Sequence, residues 1–226
     1  MAMRSPLLLG HRGARASKTI PENTLASFDL ALEHGCDGFE FDVRLSADGR
    51  AVICHDPKFS GLEIARANQC ELNLPLLGDV VERYAQRAFL NIELKVVGLE
   101  EIALAALKQH APARFVISSF LPQVLTELRS RDPRVPLGFI CDRANHLAHW
   151  AELPVQYVIP HCDLVDRQLI REIHAAGKQL FVWTVNEREA MIRFADWGAD
   201  AIISDDTELL VRTLGRRIAN DQRAND

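Results

Sequence analysis

The sequence predicts an α/β fold, a single (β/α)8 barrel, and three observations carry the prediction. Short apolar runs of strand length alternate with segments of helical periodicity along all 226 residues, the pattern of a parallel sheet covered by helices. Nine strand-like runs occur, at 7–10, 38–45, 51–54, 89–94, 115–118, 137–140, 156–159, 180–185 and 201–204. Only Ser46-Ala47-Asp48-Gly49, a tight-turn sequence with no room for a helix, separates the second from the third. The run 51–54 therefore returns antiparallel, as a hairpin. Eight parallel strands remain, the number on which this barrel closes, in a chain a little under the ~250 residues usual for the fold.

In chain order, the first strand runs into Gly10-His11-Arg12-Gly13. This is not the GxGxxG turn of a doubly wound dinucleotide fold, and the next helix begins about ten residues later. That helix occupies 23–34, where Leu25, Phe28 and Leu32 recur at helical spacing, with Asn23 as its cap and Gly35 closing it. Helical patterns follow at 99–110, 122–130, 145–152, 187–197 and 207–219. Another begins at Asp166 as cap and passes through Leu169, Ile170 and Ile173 to Gly177. No linker or shift in composition divides the chain, so residues 1–226 read as one domain. The tail 216–226 is polar and weakly patterned, and no structure is assigned to its last few residues.

Composition excludes several classes. With 48% hydrophobic residues the chain builds a core without disulfides. The 26 basic and 31 acidic residues give a net charge of −5, which argues against a nucleic-acid partner. Five cysteines without a CxxC pair fit neither a disulfide framework nor a thiolate zinc site; Cys54 and Cys141 lie in apolar strands, as small hydrophobes. The early apolar run 7–9, preceded only by Arg4, is too short for a membrane span or a secretion signal. The expectation is a cytoplasmic protein with no integral membrane segment. Oligomeric state has no signature in the sequence.

Functional groups of such a barrel cluster at the C-terminal ends of its strands. His11 and Arg12 follow the first strand; Glu40 and Asp42, two apart on the second, share a face. His55 ends the return strand, and Glu93 and Lys95 end the next parallel strand. Taken singly, each has a bland explanation: a polar loop histidine, a solvated sheet edge, a surface ion pair. Their convergence on one rim is what argues for a site. Two inward carboxylates are costly to ionise together unless a cation holds them. Three carboxylates with water suit Mg²⁺ or Ca²⁺ rather than zinc. Arg12 and Lys95 beside such a metal match phosphate oxygens, and two histidines divide proton removal from proton donation. The residues point to cleavage of a phosphodiester with a small alkoxide leaving group. Phe120 and Trp183 line the substrate pocket or belong to the barrel core.

The motifs HRG (11–13), PENT (21–24), FEFDVRLSADG (39–49), CHDP (54–57), NIELK (91–95), SSF (118–120), VWTVN (182–186) and GADAIISDD (198–206) stand in the order seen in glycerophosphodiester phosphodiesterases. The chain resembles that family from residue 8 to 206. The resemblance implies a barrel enzyme that hydrolyses small-molecule glycerophosphodiesters to an alcohol and sn-glycerol 3-phosphate. It makes His11 and His55 the acid/base pair and Glu40, Asp42 and Glu93 the ligands of a divalent metal. Arg12 and Lys95 then meet the phosphate, and a neighbouring substrate hydroxyl is a possible nucleophile. His11 is preferred as base and His55 as acid, with the reverse left open. Glu22 and Asn23 mainly fix their loop and cap the helix, Asn186 is a helix cap or a contact, and His161 and Asp163 either bind the alcohol moiety or, as preferred, are loop polarity.

In one respect the chain departs from the family pattern. Segment 58–74 is short and lacks the arginine–threonine–glycine pattern usual there, which suggests an open pocket that takes larger or lipid-like alcohols. Two alternatives follow: a lysophospholipase D-type enzyme on lipid-bearing diesters, and an idle barrel that binds phosphorylated polyols. A binder has no need of two proton-transfer groups. A metal-dependent amidohydrolase would want an HxH pair where the sequence has His11-Arg12-Gly13.

Overall fold

A computed structural model of the protein describes residues 5–223. The first half of the chain contains β1 (Leu7–His11), α1 (Leu25–Glu33), β2 (Gly38–Leu45), β3 (Ala51–Ile53), β4 (Lys58–Phe59), β5 (Leu62–Glu63), α2 (Gln69–Leu72), α3 (Leu77–Tyr84), β6 (Phe89–Leu94) and α4 (Glu100–His110). The second half adds β7 (Arg114–Ser119), α5 (Pro122–Arg131), β8 (Leu137–Cys141), α6 (Ala144–Leu147), β9 (Tyr157–Pro160), α7 (Arg167–Ala175), β10 (Gln179–Val182), α8 (Arg188–Trp197), β11 (Ala201–Ser204) and α9 (Thr207–Arg223). Strands β1, β2 and β6 to β11 pair in parallel, and β1 bonds to both β2 and β11, which closes an eight-stranded barrel. The predicted (β/α)8 fold is the one observed.

Strand alternation sets the core. Leu9, Phe89, Val116, Ile140, Ile159, Phe181, Ala201 and Ile203 pack together inside the barrel. Outward residues meet the helices; Phe28 of α1 stacks on Phe39 of β2 at 4.3 Å, with the Tyr84 edge against both rings. The register then orders the inward polar residues. His11, Glu40 and Asn91 are neighbours across β1, β2 and β6, and one step higher Asp42, Glu93 and Ser118 are neighbours across β2, β6 and β7.

The hairpin forms as expected, with Val43, Arg44 and Leu45 opposite Ile53, Val52 and Ala51. The Cys54 N–H donates to the Asp42 carbonyl at 3.0 Å, so β3 delivers His55 back to the rim. Segment 58–74 folds as the β4–β5 hairpin, a 3-10 turn and α2, and its Ile64, Ala67, Leu72 and Leu74 bury against Val52 and Cys54. All five cysteines are free, and Cys54 and Cys141 are buried.

Five local expectations change. Thr24, not Asn23, caps α1, its side chain accepting from the Ser27 N–H. Helix α3, absent from the sequence prediction, buries Leu77, Val80, Val81 and Tyr84 on one face. The helix expected at 145–152 is reduced to α6, none of whose residues is fully buried, although Leu147 packs partly buried against the core. Helix α9 continues to Arg223, past the expected end at 219, and strand β10 stops at Val182. Arg4 and the last residues of the tail, 224–226, lie outside the described residues. Among the described residues no helix is long and apolar enough to cross a membrane.

Candidate active site

The turn after β1 is built for close approach. Arg12 and Gly13 take left-handed φ values of 52° and 79°, and a Cβ at Gly13 would lie 2.3 Å from Ser27 Oγ, so the HRG motif requires its glycine. Asn23 is also left-handed, at φ 57°. Its N–H and the Ser27 hydroxyl both donate to the Arg12 carbonyl, at 3.0 Å. The turn aims the Arg12 guanidinium at the carboxylates: Nε lies 3.3 Å from Asp42 Oδ2 and Nη1 2.8 Å from Glu22 Oε1. A left-handed non-glycine residue is held only where its surroundings over-determine it, and here Asn23, Ser27, Asp42 and Glu22 do so.

Glu40, Asp42 and Glu93 are all buried, with one oxygen of each within 4.8 Å of the others. Burial and the charges of Asp42 and Glu93 push the Glu40 carboxyl well above its ordinary range. Glu93 is raised to about 7, by burial and then by Asp42, against the pull of Lys95. Asp42 is burdened by burial too, yet Lys95, Arg12 and a hydrogen bond from Asn23 hold it below its usual value. Lys95 Nζ sits 2.7 Å from Glu93 and 3.2 Å from Asp42; burial works against its charge and the two carboxylates more than restore it. Three buried acids thus share two cations, Arg12 and Lys95. Among the described residues, Glu40 Oε1 and Asn91 Nδ2 are buried without a hydrogen-bond partner. An all-oxygen donor set with an unpaired carboxylate oxygen fits a hard metal cation.

Each histidine is tied through Nδ1 to a carboxylate. His11 Nδ1 lies 2.7 Å from Asp205 Oδ1, and His55 Nδ1 lies 2.8 Å from Asp56 Oδ1. Burial raises the Asp205 carboxyl, but the bond from His11 and those from Asn186 and Arg15 hold it far below the ordinary carboxylate range. An ionised carboxylate only accepts, so Nδ1 carries the proton and Nε2 is the unprotonated nitrogen of a neutral His11. Burial depresses the His55 imidazole, with Asp42 opposing and Lys95 reinforcing.

These groups border a cavity of about 250 Å³ inside the rim. His11, Arg12, Glu40, His55, Asn91, Glu93 and Lys95 form one wall; Phe120, Ile140, Asp142, Ile159, Trp183 and Ile203 form the other. Of the predicted site residues only Asp42 does not reach the cavity surface; it lies beneath, 1% exposed. Phe120 and Trp183 meet edge to face at 5.7 Å, and the Trp183 Nε1–H donates to the Ile159 carbonyl at 2.9 Å. Lys95 Nζ lies 5.7 Å from the centre of the Phe120 ring. His161 stands edge-on to Trp183 at 5.4 Å and its ring accepts from the Asp163 N–H.

Sequence reasoning passed over Asp205, Asn91 and Asp142 and gave Asn23 and Asn186 other roles. Asn23 Nδ2 donates to Asp42 Oδ2 at 2.8 Å, and Asn186 Nδ2 to Asp205 Oδ2 at 2.8 Å. Glu187 occupies the cap position of α8, so Asn186 braces an aspartate rather than a helix. Asn91 had a legible signal, two residues before Glu93 on the same inward face.

The chain is similar in sequence and in fold to known proteins. The model of the "Glycerophosphoryl diester phosphodiesterase family" matches residues 11–75 and 79–209. A "Glycerophosphodiester phosphodiesterase" of Caldanaerobacter subterraneus subsp. tengcongensis is 30% identical over 92% of this chain and 97% of its own. The structure of an Oleispira antarctica phosphodiesterase in complex with the product sn-glycerol-3-phosphate is 29% identical, with a TM-score of 0.81 over 93% of this chain and 97% of that one. A glycerophosphodiester phosphodiesterase from Thermotoga maritima is 28% identical, with a TM-score of 0.77 over 92% and 98%. With a closed barrel, a polar rim cavity and a family model spanning most of its length, the chain belongs to the glycerophosphoryl diester phosphodiesterase family.

Proposed function

We propose that the chain hydrolyses glycerophosphodiesters to an alcohol and sn-glycerol 3-phosphate, with His11 as base, His55 as acid, and Glu40, Asp42 and Glu93 holding Mg²⁺ or Ca²⁺. One observation carries this reading: two imidazoles tied through Nδ1 share a single cavity with Glu40, Glu93, Lys95 and Arg12, and Asp42 completes the carboxylate cluster just beneath it. The product found on the Oleispira enzyme is the product proposed here.

In this reading His11 Nε2 takes the proton of the attacking oxygen, either water or the neighbouring glycerol hydroxyl. His55 gives a proton to the departing alkoxide, which leaves as the alcohol. If the glycerol hydroxyl attacks, the histidines exchange roles while water opens the cyclic phosphate. Arg12 and Lys95, anchored by Asp42, set fixed positive charge beside the phosphoryl oxygens. Phe120 and Trp183 shape the opposite wall, against which one arm of the diester rests. The chemistry supplied by a bound cation is Lewis-acid polarisation of a phosphoryl oxygen.

His11→Ala and His55→Ala test the assignment. Each should lower turnover of glycerophosphocholine by roughly 10²–10⁴-fold, the worth of a positioned proton-transfer group, with melting unchanged. Near wild-type turnover in either variant would overturn the acid/base pair.

A second reading, action on lysophospholipids, is favoured by Phe59, Leu62 and Val97. These apolar side chains are exposed on the segments that follow β3 and β6. Lysophospholipid turnover comparable to that of short head groups supports it, and strict preference for the smallest diester counts against it.

A further inference from the structure

We infer that Asp205 is a positioning residue that fixes the tautomer of His11, and that Asn186 and Arg15 fix Asp205 in turn. The inference rests on the reading of His11 as a proton-transfer group. Barrel closure supplies the contact. Strand β11 lies beside β1 with Ser204 opposite Gly10, so the next residues, Asp205 and His11, emerge side by side at the rim. The carboxylate divides its oxygens between two tasks. Oδ1 faces His11 Nδ1 at 2.7 Å. Oδ2 accepts from Asn186 Nδ2 at 2.8 Å and from Arg15 Nη1 at 3.0 Å. Asn186 is itself oriented, because its Oδ1 accepts from the Asp205 N–H at 2.9 Å and from the Ser204 hydroxyl at 3.1 Å. Its amide therefore cannot turn over without breaking both bonds.

The chemistry follows from these donor directions. With the proton held on Nδ1, the Nε2 lone pair of neutral His11 receives the proton of the attacking oxygen as its bond to phosphorus forms. The bond from phosphorus to the leaving oxygen breaks, and that oxygen takes its proton from His55. Asp205 stays ionised throughout; it orients the ring and stabilises the imidazolium without accepting a proton. The network extends further: Arg15 Nε bonds Glu22 Oε2 at 2.7 Å, and Glu22 Oε1 bonds Arg12 Nη1 at 2.8 Å. The guanidinium assigned to phosphate and the imidazole assigned to proton transfer are thus braced by one chain of charged groups.

Asp205→Asn and Asp205→Ala separate this role from a structural one. In the asparagine variant the donors on Asn186 and Arg15 hold the amide oxygen at the Oδ2 position, which turns the amide N–H₂ toward His11 Nδ1. The proton of His11 must then move to Nε2, where it blocks proton removal. Alanine imposes no tautomer. The conservative change should therefore be the more damaging one. Asp205→Asn should lower kcat on glycerophosphocholine by on the order of 10³–10⁴-fold with little change in KM, and Asp205→Ala by a smaller factor.

Nitrogen-15 spectra of histidine-labelled, metal-free protein supply a readout independent of activity. They should show His11 protonated at Nδ1 in the wild type and at Nε2 in Asp205→Asn. An unchanged tautomer in Asp205→Asn, or an alanine variant at least as impaired as the asparagine one, would overturn the inference. His11→Ala keeps the two ideas distinct. If it retains turnover, the proton-transfer reading fails. If it is inactive while Asp205→Asn is near wild type, only the role of Asp205 fails.

Discussion

Replacing Glu93 with glutamine should stabilise the metal-free protein at alkaline pH relative to its standing at acid pH. Glu93 is 6% exposed, and its neighbour Asp42 adds negative charge that Lys95, 2.7 Å away, only partly offsets. Burial and Asp42 together move its carboxyl from 4.5 to about 7. That difference corresponds to about 3 kcal/mol for ionising the group in place. Because the folded value is raised, the stability Glu93 contributes is fully present below the unfolded pKa of about 4.3 and is lost as pH rises through 7. Glutamine has no proton to lose, so its contribution stays flat. The assay is thermal unfolding of wild type and Glu93→Gln in excess chelator at pH 5 and pH 8. Comparing the gap at the two pH values cancels any fixed loss from the altered contact with Lys95. Between pH 5 and 8 about 2.5 kcal/mol of that difference is expressed, so the gap should move toward the variant by roughly 5–10 °C, at ~2–4 °C per kcal/mol for a chain of this size. A gap that stays constant, or moves toward the wild type, would refute the claim that Glu93 is ionised at a cost.

Two further substitutions probe the surroundings of the site. Asn23→Gly keeps the left-handed backbone while deleting the side chain that bonds Asp42 Oδ2 and the Asp42 N–H. It should weaken metal affinity by roughly 10–100-fold, as loss of a residue that orients a ligand does, and titration calorimetry with wild-type affinity would contradict that. Phe28→Ala removes a fully buried ring stacked on Phe39 and met by Tyr84. Urea unfolding should show a loss of about 3–5 kcal/mol, and a loss under about 1 kcal/mol would mean that α1 is not anchored there.

Much of this architecture is written in local patterns. The alternation of strand and helix, the turn at Ser46–Gly49 and the two-residue spacing of Glu40 with Asp42 and of Glu93 with Lys95 each depend on residues close in sequence. The groups they nominated do line one cavity, with Asp42 just beneath it. Asp205 escaped because its partner is 194 residues away, and only barrel closure brings β11 beside β1. Asn23 was misplaced for a different reason. An asparagine before an apolar stripe ordinarily caps a helix, whereas here a left-handed backbone turns it away toward Asp42 and Thr24 takes the cap. Helix α3 had a legible spacing, with Leu77, Val80, Val81 and Tyr84 on one face, in a segment too short for the pattern to stand out.

The central claim is that a metal held by Glu40, Asp42 and Glu93 works with His11 and His55 to break the bond between phosphate and alcohol. Its most direct test is the release of sn-glycerol 3-phosphate from glycerophosphocholine by the intact protein, measured before chelation, after exhaustive chelation, and after return of Mg²⁺ or Ca²⁺. The predicted result is loss of activity to background and recovery with the cation, with choline and sn-glycerol 3-phosphate as the products. Turnover that survives chelation, or release of phosphocholine and glycerol instead, would contradict it.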